Sequence, residues 1–218
     1  MPLALPRFYA IIGRFPEASG LPLDEIARML TGAGVRLIQI RAKPFGFAPG
    51  KQAGSRELLD QTRQLLSLLP RESTLIVNDR ADVAQLSGAA GVHLGQDDLP
   101  AAAARKLLGP EKIIGWSTHS AAQVEAANQL PADYLAFGPI FATATKPDTE
   151  PVVGLAGLRE ARKLTRKPLV AIGGITPANA AAVIEAGADS VAVIAGWLGA
   201  PDIPARLEEF RRTLGRLD

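Results

Sequence analysis

The chain of 218 residues contains no cysteine. Disulfides, thiolate zinc sites and cysteine nucleophiles are therefore excluded. No apolar run approaches the ~20 residues of a membrane helix. Pro6 and Arg7 interrupt the short apolar N-terminus, so no secretory signal is read there. A cytoplasmic setting with no membrane partner is the expectation. A charge surplus is also missing: 24 Lys and Arg stand against 22 Asp and Glu, a formal charge of +2. Affinity for a nucleic-acid backbone needs a basic surplus on one face, so no nucleic-acid partner is expected. The pI of 9.1 reflects this small imbalance and still permits a local basic pocket. Finally, no Gly-x-Gly-x-x-Gly turn follows the first β-rich run, as an open dinucleotide-binding sheet would require.

What is present is a large apolar fraction, 47% of residues, enough to bury an extensive core. Short β-rich runs alternate with longer helical patterns. The runs are Phe8 to Ile12, Arg36 to Ile40, Thr74 to Asn78, Gly91 to Leu94, Lys112 to Trp116, Tyr134 to Phe137, Leu169 to Ile172 and Ser190 to Ile194. They are apolar on both faces, as strands of a covered parallel sheet must be. Leu23 to Leu30 places Leu23, Ile26, Ala27 and Leu30 on one helical face, and Ala180 to Ala186 and Ile203 to Leu214 read similarly. Thr176-Pro177 forms an N-cap and first-turn proline, and Gly187 a helix stop. Eight strand–helix units predict a (β/α)8 TIM barrel in a single domain, 1–218. An open doubly wound sheet is the alternative. Two long connections, Pro44 to Ser55 and Phe141 to Val153, follow strands and so belong to the C-terminal face, where barrel active sites lie.

Polar residues collect at the same strand ends. Strand two finishes Gln39-Ile40-Arg41-Ala42-Lys43, and alternation puts Gln39, Arg41 and Lys43 on one face. Two cations there make an anion site, Arg as a bidentate fork and Lys as a point charge; the plain alternative is a salt-bridged barrel end. Strand three finishes Asn78-Asp79-Arg80, and strand four leads into Gln96-Asp97-Asp98. Carboxylates beside a phosphate site commonly hold Mg²⁺, and Asp79 and Asp98 are the candidate ligands. Helix capping ahead of Leu99-Pro100 is the competing role for Asp97 or Asp98. His93 reads as a core histidine, because a lone strand histidine lacks metal partners. Ser117 and Thr118 end strand five, where they would meet a ligand or cap the next helix. The loop Gly138 to Pro147 carries Thr143, Thr145 and Lys146, a set suited to an oxyanion or phosphate. Gly173-Gly174 and Ile194-Ala195-Gly196 would let backbone N–H groups meet a phosphate after strands seven and eight. Two anion pockets, one for a diphosphate and one for a monophosphate, suit an enzyme that joins a diphosphate donor to a phosphorylated acceptor.

In these stretches the chain resembles the thiamine phosphate synthase family. Gln39 to Lys43, Asn78 to Arg80, Gly91 to Pro100, Gly115 to His119, Gly138 to Asp148 and Ala171 to Pro177 carry the resemblance in order along the chain. It implies a transferase coupling hydroxymethylpyrimidine diphosphate to a thiazole phosphate, or its carboxylated form. It further implies that Arg41, Lys43, Asn78 and Lys146 hold the diphosphate, with Arg41, Lys43 and Lys146 stabilising its departure. Mg²⁺ would sit on Asp79 and Asp98. Gln39 and Ser117 match residues near the pyrimidine, and Thr143 and Thr145 residues on the thiazole side. Gly174, Ile194 and Ala195 match the thiazole phosphate pocket. Ala195 stands where the family usually has serine, and Ile12-Gly13-Arg14 where it often has Thr-Asp. The related thiazole tautomerases resemble the chain around Ser117 to Ser120, with His119 as the acid/base, but lack the full Asp79, Asp98 and Lys146 set. A non-catalytic phosphate-ligand sensor on the same barrel would have lost the carboxylates. The sequence allows a homo-oligomer without specifying one.

Overall fold

In the computed structural model the eight predicted strands close into one barrel in the order β1 to β8. The structure describes residues 3–14, 21–44, 54–143 and 150–218, with Arg14 and residues 42–44 as backbone alone. The strands are β1 (Phe8–Arg14), β2 (Leu37–Pro44), β3 (Thr74–Asn78), β4 (Gly91–Leu94), β5 (Ile113–Thr118), β6 (Tyr134–Phe137), β7 (Leu169–Ile172) and β8 (Ser190–Val193). The helices are α1 (Leu23–Gly32), α2 (Ser55–Leu68), α3 (Ala81–Ser87), α4 (Ala101–Leu108), α5 (Ala121–Ala127), α6 (Gly154–Leu164), α7 (Pro177–Glu185), α8 (Ala195–Leu198) and α9 (Ile203–Leu214). β8 returns to β1 in parallel, pairing Phe8 with Val191 and Ala10 with Val193. That closure rules out the open sheet.

The two faces of each strand separate into two cores. Tyr9, Ile11, Leu37, Ile76, Tyr134, Ala136, Val170 and Ala192 pack together inside the barrel. Their sequence neighbours, such as Phe8, Ile38, Val77, Leu135 and Val191, pack outward with the helices. A strand apolar at every position is thus satisfied on both sides. Helix faces follow the predicted stripes: α1 buries Ile26, Ala27 and Leu30, and α9 buries Ile203, Leu207, Phe210 and Leu214. Phe210 meets Phe8 with ring centroids 4.9 Å apart, which joins the last helix to the first strand. Helix α7 starts as expected, with a capping box between Thr176 and Asn179 and Pro177 in the first turn.

The N-terminal end of the barrel is tied by two matching clamps. Arg105 of α4 donates to Asp133, 2.6 Å, and to the carbonyl of Lys112. Asp133, just before β6, also accepts the backbone N–H of Ile114 on β5 at 2.7 Å. One quarter-turn on, Arg162 of α6 donates to Asp189, 2.9 Å, and to the carbonyl of Lys167. Asp189, just before β8, accepts the N–H of Leu169 on β7 at 2.7 Å. Each clamp joins a helix end, a strand start and the next strand start. No sequence repeat announces this pairing, because it rests on two residue types and their spacing alone.

Candidate active site

Strand alternation carries the inward face up to the C-terminal mouth. On β2, Leu37 lies in the inner core, so Gln39 and Arg41 follow it on the same face. By the same period Asn78 follows Ile76 on β3, and Ser117 lies on the inner face of β5 opposite Ala136. The expected grouping of Gln39, Arg41, Asn78 and Ser117 is therefore what the barrel register produces. The ladder between β1 and β2 slips at Gly13 and Arg14, which pair with Arg41 and Pro44. Two residues of β2 are skipped there, so regular alternation ends at Arg41 and does not extend to Lys43. The side chain of Lys43, and Thr145 and Lys146 entirely, lie outside the described residues. Thr143 is half-buried and is the last described residue before position 150.

Asp79 follows β3 in an unusual conformation. It is the one non-glycine residue at positive φ, 62°, among the described residues. Its N–H donates to the carbonyl of His93 at 2.8 Å, and the N–H of Arg80 closes a tight turn onto the carbonyl of Asn78, also 2.8 Å. Aspartate tolerates left-handed backbone better than most residues, yet the conformation still costs on the order of 1 kcal/mol. Its Oδ2 is sealed from solvent. Arg41 is partly buried beside it: burial pushes the guanidinium pKa down, and the Asp79 charge pulls it back up. Asp98 accepts the N–H of Gly95 at 2.7 Å, and returns its own N–H to the carbonyl of Gly95. This turn, and not a helix cap, is its structural role: α4 is preceded by Pro100 and has no side-chain cap. Asp97 is exposed.

These carboxylates can be tested against Mg²⁺ by donor chemistry. Mg²⁺ takes hard oxygen ligands and is commonly held by one or two carboxylates, with substrate phosphate and water completing six. Asp79 and Asp98 are both anchored to the end of β4 and supply that oxygen set. Among the described residues no cluster of three or more metal-binding side chains exists, so an all-protein cage is not available. The residues fit a metal shared with a phosphorylated ligand.

Other expectations need correction. Thr118 neither faces a ligand nor caps a helix; it is buried and its hydroxyl donates to the carbonyl of Ala136 at 2.8 Å. Ser120 caps α5 instead. At the glycine pair after β7, the space that side chains would need is filled by protein. Gly173 and Gly174 have φ of 103° and 63°, and a Cβ on Gly174 would lie 2.6 Å from the carbonyl oxygen of Ala142. The loop after β6 zips onto this segment through Ile140 to Ile172 and Phe141 to Gly173. The Gly174 carbonyl is also taken, by the Asn179 amide at 3.0 Å. Ile194 and Ala195 open the single-turn α8, with the Ala195 side chain exposed. His119 is anchored through Nδ1 to the carbonyl of Gly138 at 2.7 Å, so Nδ1 is the protonated nitrogen.

Sequence reasoning missed one feature. Gln39, Tyr9, Tyr134, His93 and Ser117 form a continuous hydrogen-bonded chain across the barrel interior, with links of 2.9, 3.0, 2.9 and 2.9 Å. Tyr9 is the second residue of β1 and Tyr134 the first of β6, where they read as core aromatics. Their shared inward period with Gln39 was the available signal.

A closed eight-stranded parallel barrel with a cation, two carboxylates and neutral polar groups at its C-terminal mouth defines a (β/α)8-barrel with a charged, polar site where barrel active sites lie. The comparisons narrow this. The family described as thiamine monophosphate synthase matches residues 8–196. A thiamine-phosphate synthase of Koribacter versatilis is 50% identical over 215 residues, 97% of each chain. One from Albidiferax ferrireducens is 45% identical, covering 90% of this chain and 86% of its own. A solved thiamine phosphate pyrophosphorylase from Pyrococcus furiosus superposes with a TM-score of 0.79 at 31% identity, over 96% of both chains. The chain belongs to the thiamine monophosphate synthase family.

Proposed function

We propose that this enzyme couples 4-amino-5-hydroxymethyl-2-methylpyrimidine diphosphate to a thiazole phosphate, giving thiamine phosphate and diphosphate. The observation that carries the reading is the meeting, on one barrel end, of Arg41, Asp79, Asp98, Gln39 and Ser117 in a chain related over almost its whole length to thiamine-phosphate synthases. The tautomerase and sensor readings gain no support from those relatives.

The chemistry follows from the residue types. Arg41, with Lys43, Asn78 and Lys146, would grip the diphosphate and stabilise the charge that builds on it. Asp79 and Asp98 would hold Mg²⁺, which when bound neutralises phosphate charge. The C–O bond of the hydroxymethyl group breaks and its electron pair leaves with the diphosphate. The aminopyrimidine delocalises the resulting cation, and the lone pair of the thiazole nitrogen forms the new C–N bond. No protein nucleophile is needed. Gln39 and Ser117 would orient the pyrimidine, Thr143 and Thr145 the thiazole. Gly174 after β7, with Ile194 and Ala195 at the start of α8, would line the site of its phosphate through backbone donors. The start of the loop after β6 rests on Gly173 and Gly174, so the long loops Pro44 to Ser55 and Phe141 to Val153 would close over the site from that side. Such closure would exclude the water that could trap the cation.

The test is incubation with both substrates and Mg²⁺, with thiamine phosphate measured by mass spectrometry. Its formation at catalytic rates supports the reading, and its absence overturns it. The variants separate synthase from tautomerase. Lys146→Ala is expected to lower turnover about 10²–10³-fold, as removal of one preorganised electrostatic contact commonly does. His119→Ala is expected to cost far less. The reverse pattern would identify proton transfer as the reaction.

A further inference from the structure

The hydrogen-bonded chain inside the barrel joins the two residues assigned to the pyrimidine. Gln39 lies at one end and Ser117 at the other, with Tyr9, Tyr134 and His93 between them. We infer that Tyr9, Tyr134 and His93 are positioning residues that fix the proton direction of this chain, so that Gln39 presents a carbonyl acceptor and Ser117 a hydroxyl donor to an aminopyrimidine. The inference rests on the functional reading above for the identity of the ligand, and on the geometry alone for the polarity.

The direction follows link by link. The Gln39 amide nitrogen donates to the Tyr9 oxygen at 2.9 Å. Tyr9 then has its own proton to give, and the Tyr134 oxygen lies 3.0 Å away. Tyr134 in turn donates to Nδ1 of His93 at 2.9 Å. Nδ1 is thereby an acceptor, the proton stays on Nε2, and Nε2 donates to the Ser117 hydroxyl at 2.9 Å. The serine proton is left for a partner at the mouth. At the other end, the Gln39 amide nitrogen is engaged with Tyr9 and its carbonyl oxygen is the complementary group. Reversing any one link reverses them all, since each hydroxyl has one proton. In this direction Ser117 has a proton to give, and Gln39 has its carbonyl oxygen to accept with beside the second proton of its amide nitrogen. An aminopyrimidine, with an amino donor beside a ring-nitrogen acceptor, matches such a pair.

Three further observations support a built network. Tyr9 and Tyr134 are fully buried, and burial pushes both phenol pKa values well up, so each keeps its single proton. The His93 and Tyr134 rings stack at 5.5 Å and 23°, which holds the imidazole plane. Gly115 on β5 leaves the space they occupy: a Cβ there would lie 2.1 Å from the Tyr134 ring and 2.4 Å from Nδ1 of His93. Alanine at that position could not coexist with this arrangement.

The test reads the tautomer directly. The chain has two histidines, so ¹⁵N-histidine labelling gives two ring systems, and His119→Asn assigns them. In the substrate-free protein near neutral pH, His93 is expected with the proton on Nε2 and Nδ1 bare, and His119 with its proton on Nδ1. A proton on Nδ1 of His93 would overturn the polarity, whatever reaction the enzyme catalyses. Tyr134→Phe is expected to give mixed His93 tautomers and to raise the KM for the pyrimidine diphosphate about three- to tenfold, the usual worth of one hydrogen bond. The KM for the thiazole phosphate should hold. Tyr9→Phe is expected to raise the pyrimidine KM without changing the His93 tautomer, and it serves if Tyr134→Phe does not fold. Folded variants with unchanged pyrimidine KM would overturn the positioning role. If wild type makes no thiamine phosphate, the functional reading fails while the tautomer result still decides the polarity.

Discussion

The two ends of the barrel use the same charged residue types in opposite ways. At the N-terminal end, Asp133 and Asp189 each accept an arginine and a strand N–H, and Arg105 and Arg162 also donate to backbone carbonyls. Charge there is consumed by the chain's own backbone. Lys167 is drawn into the same scheme, donating to the carbonyls of Leu130 and Ala132. At the C-terminal end, Arg41 is partly buried beside Asp79, and Asp79 is held at a positive φ that costs energy. The side chains of Gln39, His93 and Ser117 are linked through Tyr9 and Tyr134. One end is relaxed and closes the barrel; the other holds strained, collected polarity that pays in stability for a prepared site.

The contrast is broken most severely at Asp79. Asp79→Asn removes the charge but keeps a residue that accepts left-handed backbone. Turnover is expected to fall about 10²–10³-fold and the Mg²⁺ requirement to rise, with the melting temperature almost unchanged. Turnover across a Mg²⁺ titration, with thermal melts, checks this. A large loss of stability would place Asp79 among the clamps, and Mg²⁺-independent turnover in wild type would remove the metal from the scheme.

At the same end, Ala195→Ser should sharpen the site. A hydroxyl at the start of α8 adds one hydrogen bond to a phosphate, and the acceptor KM is expected to drop about tenfold with kcat unchanged. Kinetics at saturating pyrimidine diphosphate decide. An unchanged KM would mean that backbone donors already satisfy the phosphate.

The clamps should show the converse. Arg105→Ala and Arg162→Ala are each expected to cost about 2 kcal/mol, the range for hydrogen bonds to charged groups. That corresponds to roughly 4–8 °C in melting temperature for a chain of this size, with kcat preserved. The pair should depart from additivity, since Lys167 touches both clamps, its carbonyl accepting from Arg162 and its Nζ bonding the carbonyl of Ala132 beside Asp133. Lost activity without lost stability would mean the two ends are coupled.

The smallest effect at neutral pH belongs to the tyrosines, which are the only two in the chain. Both are pushed up from the ordinary value of 10.0, chiefly by burial. A folded-state pKa above the unfolded one favours the protonated form, so its contribution is intact below pH 10 and is lost as pH rises beyond it. Tyrosinate absorbance is expected to appear together with alkaline unfolding. Titration of either tyrosine in the folded protein near its ordinary value would show that water reaches the barrel interior.

The sequence by itself determined the number and order of elements. Strand runs apolar on both faces, helical stripes and the Thr176-Pro177 start are local patterns, and a covered parallel sheet leaves few other ways to bury them. It also determined which strand ends carry polar residues, because a period of two assigns Gln39, Arg41 and Asn78 to the face shared with Leu37 and Ile76. Tertiary structure alone decided the rest. Barrel closure brought Tyr9 of β1, Tyr134 of β6 and His93 of β4 within hydrogen-bond distance, although up to 125 residues separate them along the chain. It turned Thr118 to the Ala136 carbonyl and set Gly174 under the loop after β6. It also made two clamps from arginines and aspartates that carry no local signal. Such contacts depend on strand register and on which side of a closed sheet each residue meets, and no stretch of sequence read alone contains that information.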